Sequence, residues 1–258
     1  MKQIKIIFFD IDGTLVNPQT GSISDLTKLT INRLSSNGIL LCIATGRPPA
    51  SLPDFTGLPI DIFCTCNGAL CYNGTETIIS NPISTENVQK LIQNAANIGR
   101  PISIALRDRL AANGTEKDLE DYYGLCGLKL TAADNFNELS KQNVYQLMVG
   151  FRPSDQQTLL SDVEDVKLAI SWERAADIIP AVNGKGAAIQ KILEYYQLKP
   201  EEALAFGDSY NDMEMLQAVG TGVAMGNGVP ELKDLANDVC KSVSEEGIYH
   251  YCLSHKLI

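Results

Sequence analysis

Apolar residues fall along this chain in short continuous runs separated by longer amphipathic stretches. Lys5-Ile-Ile-Phe-Phe-Asp10 is the first run, with the length and content of a strand buried on both faces. A helix is predicted over Asp25–Asn37, with Ser24 as its cap, Leu26, Leu29 and Leu34 on one face, and Gly38 at its left-handed stop. Ile39–Ala44 is the next strand and runs into Thr45-Gly46-Arg47-Pro48. A third apolar piece, Ile60–Cys66, ends in Asn67-Gly68. Ala69–Tyr72, the Asn73-Gly74 turn and Thr77–Ser80 then read as a β-hairpin.

From Pro82 to Pro180 the pattern changes. Helical stretches near Thr85–Ile98, Glu116–Tyr123 and Ser154–Val163 are interleaved with strand-like runs at Ile102–Leu106, Val144–Phe151 and Lys167–Trp172. About a hundred residues of this kind predict a separate α+β unit with its own core. The strand–helix rhythm then returns: a helix over Gly186–Gln197, the strand Ala203–Gly207, a helix near Met213–Ala218 and the strand Thr221–Ala224. A helix after Pro230 and a closing helix near Glu245–Ser254 end the series. Apolar strands alternating with helices predict an α/β fold, a doubly wound and mostly parallel sheet of Rossmann-like type. In such sheets ligands bind beyond the carboxyl ends of the strands, where the strand order reverses.

Composition narrows the possible functions. The chain has 258 residues, 45% hydrophobic and 20% charged, which excludes a disordered or fibrous chain. Its formal charge of −10 disfavours nucleic-acid backbones as partners. A small phosphorylated substrate stays compatible if a metal ion and local cations reverse the field at the site. No apolar run has the ~18 residues of a membrane helix, and Asp10 and Asp12 interrupt any export signal. The seven cysteines lack a CxxC pair or regular spacing, so they read as reduced thiols of a cytoplasmic protein.

Four polar pieces stand just after predicted strands or at helix starts. Asp10-Ile11-Asp12-Gly13-Thr14 places two carboxylates at a strand end, where they favour a bound cation or a shared proton. Thr45-Gly46 offers a hydroxyl and free backbone N–H groups to an anion. Lys185, between Gly184 and Gly186, can serve as a point charge for phosphate. Gly207-Asp208-Ser209-Tyr210-Asn211-Asp212 supplies hard oxygen ligands suited to Mg2+. Each piece alone also reads as a polar turn or a helix cap. Together they hold the groups that phosphoryl transfer requires.

These four pieces resemble the four motifs of the haloacid dehalogenase-like superfamily, in particular its Cof-type phosphatases. Asp10-Ile11-Asp12-Gly13-Thr14 is similar to the first motif, Ala44–Pro48 to the second, Lys185-Gly186 to the third and Gly207–Leu216 to the fourth. Asn67-Gly68-Ala69 is similar to a further family element. Asn183-Gly184 departs from the pattern, because many relatives carry a Ser beside the Lys. The resemblance implies a core of residues 1–81 and 182–258 with an α+β cap of residues 82–181 inserted between the second and third motifs. It also implies a Mg2+-dependent phosphatase of small phosphorylated metabolites working through an aspartyl-phosphate. Asp10 is then the nucleophile and Asp12 the acid/base. Mg2+ is held by Asp10, the Asp12 carbonyl and Asp208, and phosphoryl oxygens by Ile11, Thr45, Gly46, Lys185 and Asn211. Arg47, Asn67 and Asp212 support the site, and Asp212 orients Lys185 or metal-bound water.

Within residues 82–181 the candidates for reading the leaving group are Arg107, Trp172 and Asp177. The expected protein is cytoplasmic, a monomer or weak homodimer, with neither nucleic acid nor membrane as partner. Two other readings stay open at this stage. One is a phosphotransferase or phosphomutase on the same core. The other is a receiver-like module phosphorylated on aspartate, against which the acid/base Asp12 and the inserted unit both argue.

Overall fold

A computed structural model describes residues 3–74 and 76–258. Among them thirteen strands form two sheets, numbered here in chain order: β1 (Ile6–Phe9), β2 (Leu40–Ala44), β3 (Ile62–Thr65), β4 (Leu70–Asn73), β5 (Thr77–Ser80), β6 (Ile102–Ala105), β7 (Leu110–Ala112), β8 (Gln146–Gly150), β9 (Val166–Trp172), β10 (Ala175–Pro180), β11 (Ala203–Gly207), β12 (Thr221–Ala224) and β13 (Asp238–Val239). The chain divides into two compact units. The first holds residues up to Gly46, Asp54–Ile79 and Gly184–Ile258; the second holds Arg47–Pro53 and Ser80–Asn183.

The sheet of the first unit runs β13-β12-β11-β1-β2-β3-β4-β5, parallel from β13 to β3 and antiparallel from β3 to β4. It is doubly wound and mostly parallel, as the alternating pattern predicts. Ile6 and Phe8 share an aliphatic cluster with Ala188, Ile189, Ile192 and Leu193 of the helix Lys185–Tyr195. The neighbouring residue Phe9 stacks on Phe206 of β11 at 5.6 Å, and Phe206 meets Tyr251 of the helix Gly247–Ser254 edge-on at 5.4 Å. Successive side chains of β1 therefore point to opposite helical layers. The strand order reverses at β1: the chain continues to β2 on one side and returns as β11 on the other.

The sheet of the second unit is antiparallel, in the order β7-β6-β8-β10-β9. Ile102, Ile104, Leu147, Val149, Ala176 and Ile178 line one face and pack with Val88, Leu91 and Ala95 of the helix Thr85–Asn97. The opposite face carries Ser103, Met148 and Asp177 beneath the helix Lys117–Leu125. That helix is tied down by Asp118, which pairs with Arg152 at 2.8 Å, Arg100 at 3.1 Å and Arg174 at 3.2 Å.

Several local expectations need correction. The helix expected over Ser154–Val163 is a turn at Pro153–Asp155 followed by the short helix Gln156–Leu159, and Asp162 has φ +54°. The closing helix begins at Gly247 and not Glu245, because Glu246 is left-handed. Its carboxylate there accepts from Ser24 Oγ at 2.6 Å, a tertiary bond that local pattern cannot reveal. In the helix Asp25–Ser36 the buried face is Thr27, Thr30, Ile31 and Leu34, while Leu26 and Leu29 are exposed. Threonine methyls fill positions that the hydropathy pattern assigns to leucines. Strands β7, β10 and the two-residue β13 have no counterpart in the sequence pattern. All seven cysteines are free thiols, and burial pushes Cys42 and Cys71 well above the ordinary thiol value, which leaves them unreactive.

Candidate active site

Three neighbouring parallel strands end together. Asp10 follows β1, Asp208 follows β11 and Thr45 follows β2, with Phe9 in register with both Phe206 and Ile43. The Asp10 N–H donates to Phe206 O at 3.0 Å, which fixes the start of the first loop against β11. Beyond it, Ile11 O accepts from the N–H groups of Thr14, Leu15 and Val16 and curls the loop into a tight turn. Gly13 has φ +84°, and a Cβ there would lie 2.2 Å from Asp208 Oδ2, so only glycine fits.

Lys185 lies at the start of its helix, 1% exposed. Its ammonium donates to Asp10 Oδ1 and to Asp212 Oδ1, each at 2.6 Å. The other Asp212 oxygen accepts from the Asp208 and Ser209 N–H groups at 2.9 and 3.0 Å. Both oxygens of Asp212 are thus engaged in holding Lys185 and the Asp208 loop. Gly207 allows this closeness, since a Cβ there would sit 2.6 Å from Asp212. Thr14 Oγ1 donates to Asp208 Oδ1 at 3.0 Å. Asp10, Asp208 and Asp212 each bring one carboxylate oxygen within 4.8 Å of the others.

Thr45 and Asn67 are interlocked by backbone bonds: Thr45 donates to Cys64 O at 2.9 Å, and Asn67 donates to Thr45 O at 3.0 Å. Asn67 is left-handed, and its Oδ1 accepts from Asn211 Nδ2 at 3.3 Å. Ile11, Thr45 and Asn67 are buried; Gly46 and Asn211 are half-buried. The Asp12 side chain is exposed and its carboxylate lies outside the three-carboxylate group. Arg47, in the second unit, donates to Ser51 O at 2.8 Å. Arg107 is exposed. Trp172 stacks on Tyr122 at 6.0 Å and lies under the Arg174 guanidinium at 4.2 Å, while Asp177 is buried and accepts from the Tyr122 hydroxyl at 2.9 Å.

Two positioning residues escaped the sequence reading. Thr14 lies inside the first motif yet was assigned no role. Asn227 donates from Nδ2 to Gly13 O at 2.8 Å and accepts from the Val243 N–H, bridging two loops. The signal for Asn227 was present: Gly226-Asn227-Gly228 is a turn cluster just after the apolar strand β12.

Three carboxylates against one ammonium leave a net negative pocket. Burial raises the Asp10 carboxyl well above its ordinary range; Lys185 opposes this, and the charges of Asp212 and Asp208 add to it. Burial, then the Asp212 charge, pushes Asp208 up to about 7, with Thr14 and Lys185 opposing. Burial works to lower the Lys185 value, but Asp10 and Asp212 outweigh it and hold the ammonium charged. A hard, oxygen-only donor set that resists ionising without more positive charge fits Mg2+.

The Asp208 shift makes a prediction for the protein in chelator. Its carboxyl holds a proton more tightly folded, at about 7, than at the ordinary 3.8 of an open chain. Asp208 therefore lowers stability progressively as pH rises from about 4 to about 7, and the loss is complete above that. Thermal melts at pH 5 and 7.5 should show a smaller fall in Tm for Asp208→Asn than for the wild type. An equal fall in both would refute the assignment.

Comparison with known proteins places this geometry in a family. Residues 7–252 match the haloacid dehalogenase-like hydrolases. The Bacillus subtilis protein named "Putative phosphatase YkrA" is 31% identical over 248 residues, covering 95% of each chain. The 5-amino-6-(5-phospho-D-ribitylamino)uracil phosphatase YitU of the same organism is 28% identical over 264 residues, again covering 95% of each. Among solved structures, the subclass IIB sugar phosphatase BT4131 superposes with a TM-score of 0.89 at 27% identity, covering 98% of this chain and 100% of that one. This chain belongs to the haloacid dehalogenase-like hydrolases. It is a phosphoric monoester hydrolase acting on small phosphorylated substrates. No helix among the described residues is long and apolar enough to cross a membrane.

Proposed function

We propose that this enzyme hydrolyses its phosphomonoester through an aspartyl-phosphate on Asp10 and depends on Mg2+. The observation that carries this reading is the buried Asp10–Lys185–Asp212 chain with Asp208 beside it at the ends of adjacent strands. Asp10 attacks the phosphorus, and the bond to the leaving oxygen breaks. Asp12 protonates that oxygen, then takes the proton of the water that attacks the acyl phosphate. Its exposed side chain suits a group that must reach the leaving oxygen and solvent in turn.

The Ile11 N–H, Thr45, Gly46, Lys185 and Asn211 hold the phosphoryl oxygens. Asp212 positions Lys185, Asn67 positions Asn211, and Arg47 braces the segment after Thr45-Gly46. Asp10, the Asp12 carbonyl and Asp208 would hold Mg2+, which when bound supplies positive charge to the phosphoryl group and to the ionised Asp10. Residues of the second unit, with Arg107, Trp172 and Asp177 as candidates, select the leaving group.

The test is phosphate release from a panel of small sugar, polyol and cofactor phosphates. Release is expected with Mg2+ and no acceptor but water, to be abolished by EDTA and restored by excess Mg2+. Turnover that persists in chelator would overturn the metal dependence. Release that requires an added hydroxyl acceptor would mark a phosphotransferase instead.

A further inference from the structure

Strands β11 and β12 run parallel with Gly207 opposite Ala224, so the chain leaves both strands side by side. Asp208 follows β11, and a turn over residues 225–229 follows β12. The Met225 N–H donates to Gly207 O and the Val229 N–H to Asp208 O, each at 2.9 Å. The Gly228 N–H closes the turn on Met225 O at 2.8 Å. Asn227 lies inside this turn, and its side chain reaches the first loop. Nδ2 donates to Gly13 O at 2.8 Å, across 214 positions, while Oδ1 accepts from the Val243 N–H at 2.8 Å. One planar amide is donor on one side and acceptor on the other; an aspartate lacks the donor and a serine lacks the length.

Gly13 O is a sensitive point to hold. The peptide before Gly13 carries the Asp12 carbonyl, and its N–H donates to Val16 O at 3.0 Å. The peptide after Gly13 carries Gly13 O, and its Thr14 N–H makes a longer bond, 3.3 Å, to Ile11 O. Between the two planes stands a glycine at φ +84°, the residue with the freest backbone torsions. The Asn227 amide restrains rotation about Gly13, and that rotation would re-aim the Asp12 carbonyl. Asn227 contributes little to the fold itself. It is exposed, it is not left-handed, and backbone bonds close its turn without its side chain.

We propose that Asn227 is a positioning residue for the Mg2+ site, keeping the Asp12 carbonyl in register with Asp208. It grips the first loop through Gly13 O, and the same turn grips Asp208 through the Val229 N–H. Loss of the amide then removes no donor to the ion but lets one donor drift from the other, so affinity for Mg2+ falls. This rests on the Mg2+ dependence proposed above.

The experiment compares wild type with Asn227→Leu, and with Asn227→Ser should leucine fold poorly, using Mg2+ alone as the probe. Three quantities are read: Tm in EDTA, the Kd for Mg2+ from the rise in Tm with Mg2+ concentration, and the Mg2+ concentration giving half-maximal phosphate release. The Kd and the half-maximal concentration should both rise about tenfold, as for other residues that orient a metal ligand without touching the metal. Saturating Mg2+ should restore most of the turnover, and Tm in EDTA should stay close to wild type. A Kd from the melts that stays at the wild-type value overturns the role of Asn227. A Tm lowered equally with and without Mg2+, at an unmoved Kd, marks the residue as structural and overturns it too. If Mg2+ neither raises the wild-type Tm nor supports its turnover, the Mg2+ reading fails first and takes this proposal with it.

Discussion

Asp10→Asn should give a folded protein that releases phosphate slower by roughly three orders of magnitude or more, and that melts no lower than the wild type. The two readouts separate because Asp10 does two opposed things. Its carboxylate is the nucleophile of the proposed reaction, and an amide cannot replace it. As a buried carboxyl it is also a liability, crowded by Asp208 and Asp212 and raised well above its ordinary value by burial, which Lys185 only partly opposes. Asparagine keeps the shape and an acceptor for Lys185, which retains Asp212 as its counter-charge at 2.6 Å. One of three mutually repelling carboxyls is removed at no loss of packing. Phosphate release and a thermal melt on the same sample check this. Turnover within tenfold of wild type would exclude Asp10 as the nucleophile, and a large drop in Tm would mean its charge supports the fold.

Lys185→Met should show the reverse combination: activity lost, and stability down by about 3–5 kcal/mol, as for a buried pair broken on one side. For a chain of this size that corresponds to a fall in Tm of roughly 6–20 °C. The ammonium is the sole side-chain cation among the described residues paired with either Asp10 or Asp212, so its removal leaves both facing each other and Asp208 with no counter-charge. The destabilisation should be larger at pH 7.5 than at pH 5, because protonated carboxyls do not need the lysine. Melts of both proteins at the two pH values check this. A variant that melts with the wild type at pH 7.5 would show that the buried charges are compensated elsewhere.

Much of the site was legible because its residues sit at places where the backbone itself announces a break. Asp10, Thr45 and Asp208 each end a run of apolar residues, and Lys185 stands between glycines at a helix start. The pattern of strands and helices was enough to predict a parallel sheet and therefore a shared crevice. Residues that act by bridging loops were not legible in the same way. Asn227 touches Gly13 across more than 200 positions, and Glu246 reaches Ser24 over a comparable gap. Nothing in a local window distinguishes them from other polar loop residues.

The second unit was harder to read for a different reason. Its sheet is amphipathic in an unusual sense, with one aliphatic face and one face of small, polar and aromatic groups. Strand β10, Ala-Ala-Asp-Ile-Ile-Pro, is wholly buried although an aspartate sits in its middle. A charged residue there reads as a loop until Tyr122 supplies the hydroxyl that makes its burial tolerable.

The central position of β1 has a consequence for how the chain matures. Its first partner, β2, follows closely in the chain, pairing Leu40 with Ile6, but its other partner, β11, pairs Ala203 with Ile6 from far downstream. Until the ribosome has released that stretch, one hydrogen-bonding edge of β1 stays open, and an open apolar edge invites pairing with foreign strands. The surroundings of Asp10 are therefore completed only after β11 has been made. A truncated chain ending anywhere before Ala203 should be both inert and prone to aggregate, and chaperone demand should fall on this late step.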